Sequence, residues 1–155
     1  MSRSVPVSLA ITLLLAALSA ADLPAQETRE FVNPGSASDP ASSPYSGAVL
    51  VGNTLYLAGT IGLTADDKVP ETAAEEARLV LADLQKTLQS AGMSMDDLVS
   101  VQVFCSDVKH YAEFNNVYRG YFNREFPARA FIGAGTLLYG ARFEVQGIAV
   151  KRETP

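Results

Sequence analysis

Residues 45–61 read Tyr-Ser-Gly-Ala-Val-Leu-Val-Gly-Asn-Thr-Leu-Tyr-Leu-Ala-Gly-Thr-Ile. Two β-type segments, 45–51 and 54–61, flank the dipeptide Gly52-Asn53. That pair readily takes the positive φ angles of a tight turn, so the stretch predicts a hairpin. Upstream, 33–44 is rich in Pro, Ser, Ala and Gly and reads as an irregular entry segment, after a short edge strand at Glu30–Val32.

Downstream of the hairpin the period changes. Thr72 with Glu75 three residues later is a capping box. Ala77, Leu81, Leu84, Leu88 and Ala91 then recur at helical spacing, and Gly92 supplies the stop. Ser94 to Leu98 predicts a short helical turn. Val99, Val101 and Val103 alternate with Ser100 and Gln102 in a strand reaching Phe104. Asp107 is placed to cap a second helix carrying an aromatic stripe of Tyr111, Phe114, Val117, Tyr118, Tyr121 and Phe122, which reads as core. Phe126-Pro127 ends that helix. Strands are predicted over 128–134 and 142–151, joined by a glycine-containing loop. The order is hairpin, helix, strand, helix, strand, strand, an α+β domain with both helices on one face of a mixed β-sheet.

The N-terminus has a different character. Arg3 precedes an apolar run from Val5 to Leu18, and Ser19-Ala20-Ala21 offers small residues for cleavage before Asp22. This is the layout of a secretory signal peptide, and the run of about 14 residues is short for a membrane span. The expected organisation is therefore a signal peptide over 1–21, an N-terminal segment over 22–44, and a domain over 45–155 whose fold begins near residue 30. The expected location is periplasmic or extracellular, with no membrane attachment after cleavage.

The chain has 12 Lys and Arg against 17 Asp and Glu, a net charge of −5. An acidic balance with no basic patch argues against a nucleic-acid partner. Cys105 is the sole cysteine, which rules out an internal disulfide. Its apolar strand context reads as a small buried hydrophobe. His110 is the sole histidine, near the start of the second helix, where a solvated role is expected. No His and Cys set has metal-ligand spacing. Gly133, Gly135 and Gly140 lie between two strands and open no helix, so they are not a dinucleotide fingerprint. Carboxylates, arginine, tyrosine and backbone groups remain for any chemistry.

Arg129 stands among apolar residues in Phe126-Pro127-Ala128-Arg129-Ala130. Such an arginine either escapes to water or finds an anion, and its planar fork suits a carboxylate. On the last strand, alternation places Arg142, Glu144 and Gln146 on one face and Phe143, Val145 and Gly147 on the other. The polar face is either solvated or part of a site, and pattern alone favours solvation.

A family resemblance changes that balance. Pro44-Tyr45-Ser46-Gly47-Ala48-Val49, Val51-Gly52-Asn53 and Ala58-Gly59-Thr60-Ile61 resemble the opening of the Rid family, also called YjgF or L-PSP. So do Phe104 with Asp107, Asn115-Asn116-Val117-Tyr118, Phe126-Pro127-Ala128-Arg129, and the run from Phe143 to Val150. The resemblance spans about residues 30–152. It implies a chorismate-mutase-like α+β fold assembled as a homotrimer, with clefts between subunits. It implies hydrolysis of reactive enamines and imines, such as 2-aminoacrylate, to 2-keto acids and ammonia, without metal or cofactor.

By position, Arg129 matches the arginine that holds the substrate carboxylate, and Glu144 the glutamate that activates water. Tyr45, Gly59 and Asn115 match residues lining the cleft. Phe131 matches a position whose backbone contacts substrate. The sequence departs from the family pattern at Gly47, Thr60 and Ala130 and in the loop over 134–141, which bears on substrate range more than on fold. Rival readings are a non-catalytic small-carboxylate-binding or interaction module on the same fold and, less favoured, an RNA-cleaving enzyme.

Overall fold

The structure is a computed structural model that describes residues 28–33 and 44–152. The expected signal segment over 1–21 and most of the entry segment lie outside the described residues. Among the described residues six strands form one sheet: β1 (Arg29–Val32), β2 (Ala48–Val51), β3 (Thr54–Ile61), β4 (Leu98–Cys105), β5 (Ala128–Gly133) and β6 (Phe143–Val150). Two α-helices, α1 (Ala73–Ser90) and α2 (Tyr111–Tyr118), complete the α+β architecture.

The strand order is β1-β2-β3-β6-β4-β5. Every pairing is antiparallel except β4 with β5, so the sheet is mixed. β6, last in sequence, inserts between β3 and β4. The β2–β3 turn is as tight as predicted, but only Gly52 of the pair takes positive φ, at 59°. The second strand starts at Ala48, so Tyr45 precedes the sheet rather than lying in it.

Both helix ends follow from local chemistry. The Thr72 hydroxyl accepts from the Glu75 backbone N–H at 3.2 Å. At the other end Gly92, with φ of 69°, donates to Gln89 O while Met93 donates to Leu88 O, both at 2.9 Å. That pair of bonds is a Schellman stop, and it depends on the left-handed glycine. One helix face delivers Ala77, Val80, Leu81, Leu84 and Leu88 to the core, where each is 0–1% exposed. They meet Leu55, Val101, Val103, Phe143 and Val145 from the sheet. Gly62 lets the chain leaving β3 run against α1, because an added Cβ there would strike the Glu76 carbonyl.

The second helical region differs from its prediction. Asp107 accepts from the Lys109 N–H at 3.0 Å, capping a 3-10 turn over Val108–His110, and α2 follows it. α2 ends at Tyr118 and tightens into a 3-10 turn, so it is shorter than the aromatic pattern suggests. Within the stripe, Phe114 and Tyr118 are buried, but Tyr111 is 49% exposed. The stripe therefore serves two surfaces, the core and a cavity. Cys105 is buried as expected, with its thiol donating to Asp107 O at 3.0 Å. Burial pushes that thiol up from its ordinary value. His110 departs from its expected solvated role: it lies edge-on to Phe143 and faces Glu113 through Nδ1 at 3.3 Å.

Candidate active site

β4, α2 and β5 form a parallel crossover that holds the arginine. Arg129 pairs in register with Val101, and Phe131 with Val103, so both point to the helix-covered side of edge strand β5. There the Arg129 Nη2 donates to Asn115 Oδ1 of α2 at 2.7 Å. Its guanidinium carbon sits 4.5 Å over the Tyr118 ring and 5.8 Å from that of Phe131. Its Nη1 is buried and has no partner among the described residues. A buried donor of a cation is costly to leave unsatisfied, so the geometry suits an incoming anion.

A cavity of about 270 Å³ opens at this point, lined by Tyr111, Asn115, Tyr118, Arg119, Phe126 and Arg129, with Pro127. Three aromatic rings and two arginines line it, so its wall is part aromatic and part cationic. Tyr111, Tyr118, Arg119 and Phe126 were not expected here. The aromatic stripe was the signal for the two tyrosines, but periodicity alone assigned it to the core.

Glu144 belongs to the other face. It pairs with Phe104 and, across β3, with Ile61, while its neighbours Phe143 and Val145 are fully buried on the helix side. Gly59 lies beside it within the irregularity of the β3–β6 register between Leu57 and Thr60, and a Cβ at Gly59 would collide with Glu144 Oε1. Glycine is thus required for the carboxylate to sit where it does. Gln146 shares this face and donates to Gln102 at 2.5 Å.

The sequence-predicted site residues therefore form two groups in one chain. Arg129, Asn115 and Phe131 are together, and Glu144 and Gly59 are together. The groups are on opposite faces of the sheet, with β4 between their strands. Tyr45 is 65% exposed in the segment ahead of β2. Thr60 turns toward α1, where its hydroxyl donates to Asp83 at 2.6 Å.

Arg142 corrects the alternation argument. It precedes β6 and does not share the face of Glu144. Its Nη1 reaches Glu76 at 2.8 Å and Pro70 O at 2.9 Å, and Nη2 reaches Glu71 O at 2.9 Å. Glu76 is fully buried and also accepts the backbone N–H groups of Arg142 at 2.5 Å and Phe143 at 3.0 Å. This carboxylate anchors the start of β6, immediately before Glu144. Its sequence signal was a glutamate on the apolar face of α1, one residue before Ala77. Among the described residues no group of three or more His, Cys, Asp or Glu side chains is placed to hold a metal ion.

A model of the family described as Endoribonuclease L-PSP matches residues 36–151. The chain belongs to the Rid family, also called YjgF or L-PSP. Among its Rid relatives, protein HMF1 of Saccharomyces cerevisiae is 37% identical over 114 residues, covering 73% of this chain and 88% of that protein. A 2-iminobutanoate/2-iminopropanoate deaminase of Bos taurus is 37% identical over 113 residues, covering 72% and 82%. The crystal structure of the YjgF gene product from E. coli superposes with a TM-score of 0.68 at 31% identity, over 72% of this chain and 91% of that one. The Rid assignment agrees with the expected mixed sheet and its two helices.

Proposed function

We propose that this protein hydrolyses reactive enamines and imines of the 2-aminoacrylate class to 2-keto acids and ammonia. The observation that carries the reading is the buried, unpartnered Nη1 of Arg129 in an aromatic cavity, with Nη2 already fixed by Asn115. That arrangement suits one small carboxylate. The name of the bovine relative supports the reaction class.

The chemistry asks little of the protein. An enamine first gains a proton at its terminal carbon and becomes a protonated imine. Arg129 holds the carboxylate and so fixes the imine carbon. Glu144 takes a proton from one water as its oxygen attacks that carbon. The protonated Glu144 then gives that proton to the adduct's nitrogen, and ammonia leaves as the C–N bond breaks, the C=O bond forms and the hydroxyl proton passes back to Glu144. No redox change occurs, and water is the only co-reactant.

Arg129 and Glu144 face opposite ways in one chain, so the site is completed by a neighbouring copy in a homotrimer, Arg129 from one and Glu144 from the next. The ribonuclease activity in the family description has less support, because an excess of carboxylates repels a polyanion. We also propose that residues 1–21 direct export and are removed, placing the protein in the periplasm or outside the cell. An intact mass beginning at Asp22 is expected; a full-length, membrane-bound product contradicts it.

The test generates an imino acid in situ with an amino-acid oxidase and follows keto-acid release. The parent is expected to accelerate release, and Arg129→Lys to lose about tenfold or more in kcat/KM, because lysine lacks the two-donor fork. Binding of a keto acid through Arg129 without turnover establishes the carboxylate-binding module instead.

A further inference from the structure

Two buried polar atoms, on residues that line the cavity, lack a partner among the described residues: Nη1 of Arg129 and the hydroxyl of Tyr118. Tyr118 is 4% exposed, and its ring lies under the Arg129 guanidinium. Both residues line the same cavity. Burial pushes the phenol up to about 12, against the opposing pull of the Arg129 charge. The hydroxyl is therefore neutral and keeps its proton throughout the physiological range.

Native folds pair nearly all buried polar groups, and each exception calls for an explanation. Here two donors sit unpaired on one residue pair beside one cavity, which points to an acceptor that arrives from outside. A carboxylate fits. It accepts through two oxygens with about four lone-pair sites, enough for a guanidinium N–H and a phenol together. A protonated imine nitrogen does not satisfy both groups: the phenol oxygen could accept from it, but the guanidinium, a donor only, could not.

We propose that the Tyr118 hydroxyl donates a hydrogen bond to the same carboxylate that Arg129 holds, making Tyr118 a substrate-binding residue. The inference deepens the proposed function and rests on its assignment of Arg129.

The experiment titrates the parent, Tyr118→Phe and Arg129→Lys with 2-oxobutanoate and with its methyl ester, and records a thermal melt of each protein. Tyr118→Phe keeps the ring beneath the guanidinium and removes only the hydroxyl. It is expected to bind the acid about tenfold more weakly. Ester binding is expected to match the parent, and the midpoint of the melt to equal or exceed it, because the deleted hydroxyl has no partner in the fold. Unchanged acid binding in Tyr118→Phe, with Arg129→Lys still weakened, overturns this inference and leaves the Arg129 assignment standing. Equal losses for acid and ester, or a variant that does not fold, make the hydroxyl structural and also overturn it. A parent that binds no 2-oxobutanoate overturns both readings.

Discussion

Arg129 and Glu144 stand on opposite faces of one sheet, the first on the side of α2 and the second on the side turned away from it. The separation follows from strand parity. Arg129 is in step with Val101 and Gly147, whereas Glu144 is in step with Phe104. No rotamer change carries either side chain through the sheet.

Gly59 is where a single methyl group tests the glutamate. Gly59→Ala places a Cβ in the space of Glu144 Oε1, the far end of a flexible side chain. The carboxylate is expected to move and the fold to remain. Turnover should fall about tenfold or more while the melting midpoint shifts little, as read by keto-acid release and a thermal melt. An active Gly59→Ala variant argues that the position of Glu144 does not matter.

Glu76→Ala tests the anchor of β6. It leaves two backbone N–H groups without their acceptor and the Arg142 guanidinium with only the Pro70 and Glu71 carbonyls, and a buried group left unsatisfied typically costs about 1–3 kcal/mol. Denaturant unfolding should show that loss. Glu76→Gln should lose less, since its amide oxygen still accepts backbone hydrogen bonds.

A clasp between the chain's C-terminal end and the turn before β4 sets a pH dependence. Asp97 accepts from Arg152 Nε at 2.6 Å and from Ser94 N at 2.7 Å. Burial alone would raise its carboxyl, but the Arg152 and Ser94 hydrogen bonds outweigh burial and hold it below the usual range. A folded-state value below the unfolded one means the contribution is present above the unfolded pKa of about 3.9 and fades as pH falls toward the folded value. Asp97→Asn is therefore expected to lose about 1 kcal/mol at pH 7, modest because Arg152 is half-exposed. The difference from the parent should vanish in unfolding curves run in strong acid.

Much of the fold was legible in local pattern. Period-two alternation in β6 and in β4 from Val101 onward, the cap at Thr72 and the left-handed stop at Gly92 each act within a few residues, so sequence spacing reports them; a register shift between Leu98 and Ser100 takes Val99 off the buried face of Val101 and Val103 and leaves it exposed. What sequence spacing does not report is which elements meet. Alternation put Arg142 with Glu144 on one strand face, but Glu76 captures the Arg142 N–H and guanidinium from another element and β6 begins one residue later. The aromatic periodicity of α2 was real and Tyr118 is buried as read, yet Tyr111 was read as core too, and nothing local says that β5 brings Arg129 over the Tyr118 ring. The two halves of the site came from resemblance, and their placement on opposite faces is a matter of register across three strands.

The shared cleft is tested most directly by mixing two disabled chains. Arg129→Lys and Glu144→Gln are each expected to hydrolyse imines poorly as pure proteins, and equal amounts of the two can be refolded together and assayed as the unfractionated mixture. If each cleft takes Arg129 from one copy and Glu144 from the next, about a quarter of the clefts in a random equal mixture carry both native residues. Keto-acid release should then recover to about a quarter of the parent rate. A refolded mixture no faster than the average of its two components contradicts the account.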